Sequence, residues 1–522
     1  MINELKANLE KLDNYTFTEN GAVGYKSTGS VLTDLNFRVT SMRKSANGVT
    51  ADDMNLFIQA MNEDLEYAIK WLFFTRDVRG GMGERDCFQK LYMKYGEIYP
   101  AEAKATLKLV AEFGRWKDVI DIINMDVENT LGGLELVKET FINDIQNCMD
   151  SKPISLLAKW LPSINASNKA RQQAKRFAKY FEIPYCTYRK TLSKLRAYLD
   201  VTEVKTCSNR WCDIDYNKVS SNANKRYVNA FKKHDGERYM EHCRKSLDKG
   251  ANPNVKMHAD VLYPHEIWRM YNKKNNYTFY GRYIDIEEDV SIEALWKNLP
   301  DLDGCGNTMV VVDGSGSMTC GVYNSVKPIN ISRSLGVYFA ERCKGEFHNV
   351  LMEFSSNPQL IDLNGCNSLR DKIMEMNKYD DCSNTDIEKV FMLILDTAIE
   401  HNMKQSDLPD RILIVSDMEF DNATNNSYYR YGMKALFEEL SDRFAANGYK
   451  LPKLVFWNVC SRTKTIPLTE NEMGVVLVSG FSPNIMDLVM SDQTDPWLAL
   501  KEKLDDKRYE CISDILKGMR ND

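Results

Sequence analysis

The sequence predicts a protein of two parts, an all-α module of helices in series followed by a Rossmann-like α/β domain. Between about residues 51 and 287, apolar residues recur at steps of three and four, which is the period of an amphipathic helix. After the turn-rich linker PDLDGCGN at residues 300–307, continuous apolar runs alternate with helical patterns. Such alternation indicates a parallel sheet covered on both faces. We therefore expect one domain over residues 1–300 and a second over residues 305–522.

The first part is predicted to consist of helices with almost no strand between them. Its first apolar stripe runs from Met54 to Leu72 and indicates one long helix. Further helical stripes lie at residues 103–112, 134–148, 154–161, 168–181, 188–199 and 226–248. Short helices in series are typical of solenoids built from stacked helical pairs, although the sequence has no clear fixed-period repeat.

The second part is predicted to contain five buried strands with helices between them. The strands are expected at residues 308–312, 347–354, 411–416, 454–459 and 474–478. The helices are expected at residues 328–342, 385–401 and 429–445. In open sheets of this kind, ligands bind at the carboxyl ends of the strands.

Composition places the chain among globular proteins, since 43% of its residues are hydrophobic and 27% are charged. No apolar run approaches the roughly 20 residues of a membrane helix, and the first residues lack the apolar core of a signal peptide. The 13 cysteines are scattered and include no Cys-x-x-Cys pair, which favours reduced, mostly buried thiols. We expect a cytoplasmic protein that does not bind membranes.

Charge is distributed unevenly along the chain. The formal net charge of −6 by itself argues against a nucleic-acid binder. Residues 151–200, however, hold 11 Lys and Arg against 2 Asp and Glu, and residues 201–250 hold 11 against 7. These 100 residues therefore carry +13 while the rest of the chain carries −19. The asymmetry predicts a surface that binds a polyanion, with a solvated helical face as the alternative.

The stretch MVVVDGSGSM, at residues 309–318, places a polar loop directly after a buried strand. Asp313, Ser315 and Ser317 alternate in this loop, so one carboxylate and two hydroxyls can converge on one point. Hard oxygen ligands of this type suit Mg²⁺. Gly314 and Gly316 are expected to permit the tight backbone of the loop.

Two further oxygen ligands are expected at equivalent strand ends. Thr385 precedes a predicted helix in SNTDIEKV, where its hydroxyl can cap the helix or reach the ion. Asp417 directly follows the apolar strand RILIVS. Glu419 and Asp421, in the same SDMEFD loop, are either charges that support the metal ligands or ordinary loop charges.

In this order and in a βαβ series, Asp313-x-Ser315-x-Ser317, Thr385 and Asp417 resemble the metal-ion-dependent adhesion site of von Willebrand factor A domains. The resemblance implies that these five residues bind Mg²⁺ or another divalent cation. It also implies a docking site, at which a carboxylate from a protein partner fills the open position on the metal.

The helical part contains four further distinctive stretches, namely RDVRGGMGERDCF at 76–88, FGRWKDV at 113–119, AKWLPS at 158–163 and YRKTLSKLR at 188–196. Together with SDMEFD and VSGFS at 478–482, they resemble an uncharacterised family related to the Ro ribonucleoprotein. The resemblance covers about residues 21–481 and implies a TROVE-like module of HEAT-like helical repeats, possibly a ring, joined to a von Willebrand factor A domain. For the ligand it implies small non-coding or misfolded RNA.

The residues themselves add some support for RNA. Arg171, Lys175 and Lys179 recur every four residues on a face other than the apolar one, and such a row can follow phosphates. The predicted RNA-binding set is Lys169, Arg171, Lys175, Arg176, Lys179, Arg189, Lys190, Lys194 and Arg196. The aromatic residues Tyr180, Tyr185 and Tyr188 lie among them and can either stack on bases or pack in the core.

Three functions compete at this stage. An RNA-binding protein with a magnesium site is the first. The alternative is a metal-dependent protein-interaction adaptor, in which the helical part is only a scaffold. A metal-dependent hydrolase would need a general base beside the ion and a second carboxylate-rich site, and the sequence has no pattern of that kind. We therefore expect a binding protein with no catalytic residues.

Overall fold

The computed structural model describes residues 13–43, 48–272, 286–301, 305–319, 326–379, 383–421, 436–460 and 462–520. These residues form two compact units that interleave along the chain. The sheet unit takes in the described residues of 1–71, 80–82 and 259–506. The helical unit takes in those of 72–79, 83–258 and 507–522.

The helical unit consists of short helices joined by tight turns. After the end of Leu65–Arg76, which begins in the sheet unit, its α-helices are Asp86–Ile98, Pro100–Thr106, Leu109–Phe113, Trp116–Met125, Gly133–Met149, Leu157–Trp160, Asn168–Tyr180, Tyr185–Tyr198, Thr202–Cys207, Ser221–Leu247 and Glu510–Arg520. The helix Ser221–Leu247 is kinked at Asp235, which has non-helical dihedral angles. The helix Gly133–Met149 packs against four neighbours, Trp116–Met125, Leu157–Trp160, Asn168–Tyr180 and Tyr185–Tyr198.

A buried ion pair fixes the first turns of the helical unit. Asp118 is fully buried and accepts hydrogen bonds from Arg76 Nε at 3.0 Å and from the backbone nitrogen of Arg115 at 3.1 Å. Asp118 therefore both neutralises a buried guanidinium and caps the helix Trp116–Met125. Gly114 leaves the space for this pair, because a Cβ there would lie 2.6 Å from Asp118 Oδ2.

The sheet unit is built on a six-stranded sheet and a separate hairpin. The hairpin strands are β1 (Tyr15–Phe17) and β2 (Val23–Tyr25), and the sheet strands are β3 (Thr308–Asp313), β4 (Val350–Phe354), β5 (Gln359–Asp362), β6 (Arg411–Ser416), β7 (Lys453–Asn458) and β8 (Val475–Ser479). Its α-helices are Val31–Arg38, Ala51–Glu63, Pro264–Asn272, Val290–Lys297, Pro328–Ala340, Leu369–Met376, Glu388–Glu400, Leu436–Ala446, Met486–Met490 and Pro496–Leu504.

The strand order of the sheet is β5-β4-β3-β6-β7-β8, and all neighbouring pairs are parallel except β4 and β5. Strands β3, β6, β7 and β8 are buried at almost every position, as expected for a sheet covered on both faces. From β3 the chain moves outward to β4 and β5, and then returns to place β6 on the other side of β3. The topological switch point, where doubly wound sheets bind ligands, therefore lies between the carboxyl ends of β3 and β6.

The chain near its first described residues belongs to the sheet unit. Residue 25 forms a β-bridge with residue 466, and residue 21 forms one with residue 421. The helix Val31–Arg38 packs on β8, and the Asn458 side chain donates to the backbone oxygen of Phe37 at 2.9 Å. The sequence predicts a single boundary near residues 300–305. The two compact units do not divide there, because each is made of several segments of the chain.

Several predicted elements differ in the structure; among them, the expected helix over residues 103–112 is two helices, Pro100–Thr106 and Leu109–Phe113. The expected long helix over residues 54–72 is two helices, because Asp64 is extended and its side chain accepts from the backbone nitrogen of Tyr67 at 3.1 Å. The sheet is mixed rather than wholly parallel, since β5 runs antiparallel at the edge; this strand of four residues is not predicted from the sequence. The predicted helix at residues 429–445 is observed as Leu436–Ala446, and residues 429–435 lie outside the described residues.

Among the described helices, none combines the length and the apolar character that crossing a bilayer requires.

Candidate metal site and basic helical surface

The candidate metal site lies at the topological switch point of the sheet. Val312 of β3 is in register with Val415 of β6, so Asp313 and Asp417 emerge from adjacent strand ends. Both carboxylates are fully buried. This arrangement is the one that the sequence predicts from the two strand–Asp patterns.

Asp313 is held by one hydrogen bond to each of its carboxylate oxygens. The backbone nitrogen of Ser315 donates to Oδ1 at 2.9 Å, and the hydroxyl of Ser416 donates to Oδ2 at 2.6 Å. Burial raises the pKa of Asp313 to about 6, although these hydrogen bonds act in the opposite direction. An ionised carboxylate here is therefore costly unless a cation compensates it.

The loop after β3 presents its two serine hydroxyls together. Ser315 Oγ and Ser317 Oγ lie 3.0 Å apart. Gly314 matters for space rather than for its backbone angles, because a Cβ at this position would lie 2.5 Å from Glu353 Oε1. Glu353 is itself fixed by a buried ion pair with Arg333 Nη2 at 2.7 Å. The loop is thus packed against a rigid salt bridge.

Thr385 joins the site through the neighbouring loop of the SDMEFD segment. Its backbone nitrogen donates to Asp421 Oδ2 at 3.0 Å, and the backbone nitrogen of Asp421 donates to the Thr385 carbonyl oxygen at 3.0 Å. The Thr385 hydroxyl accepts a hydrogen bond from Asn20 Nδ2 at 3.1 Å. One further lone pair of this hydroxyl stays available for a ligand.

Asp417 is the group in this site whose surroundings satisfy it least. Its Oδ1 accepts from the backbone nitrogen of Glu419 at 3.2 Å, but its buried Oδ2 accepts no hydrogen bond from the described residues. Burial and the charge of Asp313 raise the pKa of Asp417 to about 8. A bound cation would satisfy this carboxylate oxygen, so its surroundings fit the chemistry of a cation ligand.

The five predicted residues have the oxygen-rich chemistry that a divalent cation requires. Asp313 and Asp417 are buried, Ser315 and Ser317 present adjacent hydroxyls, and Thr385 is bonded to Asp421 of the loop that carries Asp417. An all-oxygen set of this kind suits Mg²⁺ better than a softer metal. In the described part of the chain, no group of three or more His, Cys, Asp or Glu side chains is arranged to hold a metal ion.

Glu419, which the sequence leaves between two interpretations, organises the loops around the site. It is fully buried, and its carboxylate accepts from the backbone nitrogens of Glu19, Arg462 and Thr463 at 2.8, 2.8 and 2.9 Å. The Thr463 hydroxyl also donates to it. One carboxylate thus ties the hairpin loop after β1 and the loop after β7 to the strand end that carries Asp417.

Met418 lies between Asp417 and Glu419 in the sequence, with φ of +64° and a fully buried side chain. A non-glycine residue in the left-handed region is strained, and such strain concentrates at functional sites. Neither this conformation nor the contribution of residues 19–22 could be found from the sequence, because both depend on contacts that link distant parts of the chain.

Arg462 is a further residue at the site that sequence reasoning missed. Its Nη2 donates to the Ser317 carbonyl oxygen at 3.0 Å and lies 3.9 Å from Asp417 Oδ2. Its Nη1 pairs with Glu19 Oε2 at 2.5 Å. A cation on the protein therefore stands beside the candidate cation ligands.

In the helical unit, most of the predicted RNA-binding residues are exposed. Seven of the nine extend into solvent from the helices Asn168–Tyr180 and Tyr185–Tyr198, namely Lys169, Arg171, Lys175, Lys179, Arg189, Lys190 and Lys194. Among the described residues, no carboxylate forms an ion pair with any of these seven. Glu182 is the only acidic residue between positions 168 and 198, and it pairs with Lys138 at 3.7 Å. We refer to these seven residues as the basic surface.

The two helices present this surface side by side. The Lys175 ammonium lies 5.7 Å from the ring centre of Tyr185, which is 47% exposed. Arg189 follows Tyr185 by four residues and so lies on the same face of its helix. Cations of one helix and an aromatic residue of the next are thus within reach of one extended ligand.

Two of the nine predicted residues use their charged groups inside the protein. Arg196 donates to the carbonyl oxygens of Ala158 and Leu161 at 2.8 and 2.6 Å, and burial lowers its pKa. Arg176 donates to the carbonyl oxygen of Ile123 at 3.2 Å, near the end of the helix Trp116–Met125. Both side chains satisfy helix-end carbonyls, which sequence spacing does not reveal.

The three tyrosines have three different environments. Tyr188 is fully buried against Phe141 and Phe181, so of its two alternatives it packs in the core and does not face a ligand. The Tyr180 hydroxyl donates a hydrogen bond to Glu135 at 2.5 Å, which holds this side chain against the helical unit. Tyr185 alone of the three has a largely exposed ring.

Comparison with known proteins gives matches of undefined function. Residues 307–511 match the family described as "Domain of unknown function (DUF7788)", and residues 135–302 match "Domain of unknown function (DUF2828)". The chain is also 28% identical over 516 residues to "Uncharacterized protein L728" of Acanthamoeba polyphaga mimivirus, an alignment that covers 92% of this chain and 85% of the viral protein. The two family matches separate near the linker at residues 300–307, and the viral protein is similar across both.

Proposed function

We propose that this protein binds RNA through the basic surface of its helical unit and that its sheet unit carries a divalent-cation site of the von Willebrand factor A type. In the terms of the resemblance, it is a Ro-like protein with a TROVE-like module, and its RNA is small and structured or has a single-stranded end. The observation that carries the RNA proposal is the row of exposed cations that pair with no carboxylate in the described part of the chain. Free cations of this kind can release the counterions of a phosphate backbone on binding.

Tyr185 adds a second element to the RNA proposal. Its exposed ring lies within the row of cations, where a base from a single strand can stack on it. Such a combination of cations and one aromatic platform favours contact with backbone and unpaired bases over readout of a duplex groove. The proposed ligand is therefore a single-stranded segment or end rather than a regular helix.

In the sheet unit, Asp313, Ser315, Ser317, Thr385 and Asp417 would hold the cation. A bound Mg²⁺ would supply an electrophile for a carboxylate or another anion. The chain itself supplies the rigid surroundings: Glu419 positions the loops, and Ser416 and the Ser315 backbone hold Asp313. Because both carboxylates would be occupied as ligands of the ion, we propose docking rather than catalysis.

The test is filter binding of an RNA hairpin with a single-stranded 3′ tail to the full-length protein, at several salt concentrations. We expect sub-micromolar affinity that falls steeply with salt, and a loss of about 100-fold in Lys175→Glu/Lys179→Glu. A control with the same change of charge is Lys90→Glu/Lys344→Glu, since both lysines are exposed and lie outside the basic surface. The control should bind as the unmodified protein does.

Equal losses in both double variants would show that only overall charge matters and would reject the basic surface. Absence of binding by the unmodified protein would reject the RNA function altogether. In that case the adaptor function would be preferred, in which the metal site recruits a protein carboxylate and the helical unit is a scaffold.

A further inference from the structure

Arg462 places a positive charge beside the candidate ligands of a cation, which is unfavourable for cation binding. Its guanidinium contacts the carbonyl oxygen of Ser317 and lies 3.9 Å from Asp417 Oδ2, which accepts no hydrogen bond from the described residues. The side chain is 30% exposed, so its charge is only partly screened by water. A cation bound by Asp417 would therefore be repelled by Arg462.

Glu19 compensates this charge. Its carboxylate oxygen Oε2 lies 2.5 Å from Arg462 Nη1. The backbone around Glu19 is fixed, because its own nitrogen donates to Glu419 and the next residue, Asn20, donates to the Glu419 carbonyl oxygen at 2.6 Å. The loop that carries Glu19 thus holds its carboxylate beside Arg462. The same loop is hydrogen-bonded to Glu419, which follows the strand end that carries Asp417.

We propose that the Glu19–Arg462 pair sets the affinity of the site for divalent cations: Arg462 opposes the bound ion, and Glu19 cancels that opposition while the hairpin loop stays docked. This inference rests on the proposed metal site and adds its regulation. A partner that draws Glu19 away from Arg462 would weaken metal binding without touching any of the five ligands.

The test is titration of the full-length protein with Mn²⁺, with the free ion measured by electron paramagnetic resonance and competed by Mg²⁺. The variants are Glu19→Gln, Arg462→Gln, Arg462→Lys and the double variant Glu19→Gln/Arg462→Gln. Lys450→Gln and Glu472→Gln serve as matched controls, because this exposed ion pair of 3.3 Å lies outside the site loops. Thermal unfolding verifies that each variant is folded.

We expect Arg462→Gln to bind Mn²⁺ about ten-fold more tightly and Glu19→Gln to bind it about five-fold more weakly. Arg462→Lys, which keeps the charge, should stay close to the unmodified protein. In the double variant the affinity should stay within about two-fold of that of Arg462→Gln. Once the positive charge at residue 462 is removed, the charge at residue 19 should no longer matter. The two control variants should not change the affinity.

Weaker binding in Arg462→Gln would overturn the inference, since it would mean that Arg462 merely supports the loop. An equal effect of Glu19→Gln with and without Arg462 would also overturn it, since Glu19 would then act on the ion directly. If the unmodified protein binds no Mn²⁺, the metal site itself is rejected, and the inference with it. If it binds Mn²⁺ but no variant differs, only the regulation is rejected.

Discussion

The two candidate sites are built in opposite ways. At the sheet switch point, charged groups are buried, few in number and held by hydrogen bonds from several loops, and one carboxylate oxygen is left without a donor. On the basic surface of the helical unit, seven cations are exposed, and no carboxylate of the described residues forms an ion pair with them. The first arrangement defines one point in space, as a small ion requires, whereas the second defines an extended surface, as a flexible polyanion requires.

This comparison predicts that substitutions should separate stability from binding. In the sheet unit, residues around the site should affect both, because the same contacts hold the loops and the ligands. In the helical unit, residues of the basic surface should affect binding alone. The following predictions test this contrast.

The largest effect is expected where the basic helices contact their own core. Tyr188→Ala removes a fully buried ring that packs on Phe141 and Phe181, and its hydroxyl donates to the Pro162 carbonyl oxygen at 3.0 Å. The free energy of unfolding should fall by about 3–5 kcal/mol. Urea unfolding followed by circular dichroism measures it. Tyr185→Ala, in the same helix but exposed, should stay within about 0.5 kcal/mol of the unmodified protein.

The next effect concerns the carboxylate that ties the site loops together. Glu419→Gln replaces one acceptor oxygen by a donor that faces the backbone nitrogens of Arg462 and Thr463. We expect a loss of about 2–4 kcal/mol in the free energy of unfolding and a much weaker response to Mg²⁺. Glu472→Gln is the control, since that side chain is exposed. A stable Glu419→Gln variant with normal metal binding would contradict the role of Glu419.

Metal binding should appear as a gain in stability that depends on pH. The folded-state pKa values of Asp313 and Asp417 are raised, so without metal the stability falls as the pH rises from the unfolded value near 4 towards about 8. Mg²⁺ favours the ionised carboxylates and should restore up to about 2.7 kcal/mol at 100 times its dissociation constant. Its effect on the unfolding temperature should be larger at pH 8 than at pH 5.5. Asp417→Asn should abolish the effect at both pH values.

The smallest effect is expected for a single exposed cation. Lys179→Ala should leave the unfolding temperature unchanged, reduce RNA affinity only a few-fold and lower the slope of log affinity against log salt by about one unit. Filter binding at four salt concentrations measures this slope. Lys90→Ala should leave it unchanged, and a change of the same size in both variants would argue against a defined surface.

The sequence was informative where periodicity and strand ends determine structure. The strands at 308–312 and 411–416 are present within a residue of their predicted bounds, and their polar ends meet because the strands are neighbours in the sheet. The helices around residues 134–148 and 168–181 also agree. In each case local pattern and tertiary environment favour the same structure.

The rest depends on contacts between residues that are distant in sequence. The short hairpin strands Tyr15–Phe17 and Val23–Tyr25 carry no strong local signal, and Arg462 and Glu19 give no metal-binding motif. Lys, Arg and Tyr side chains also look alike in sequence whether they face solvent or serve the core. Arg196 and Tyr188 show this, since each lies within the basic stretch and each is committed to packing its own unit.

The hairpin loop that holds Glu19 has a consequence for how the protein is made. Glu19 and Glu419 are 400 positions apart in the sequence, yet they are joined by a hydrogen bond. A ribosome adding roughly 5–20 residues per second needs roughly 20–80 seconds to synthesise that interval. During this time the hairpin has no sheet to pack against, so the candidate metal site can be completed only late in translation. Products of translation that end before residue 463 would therefore lack the loop contacts that complete the site.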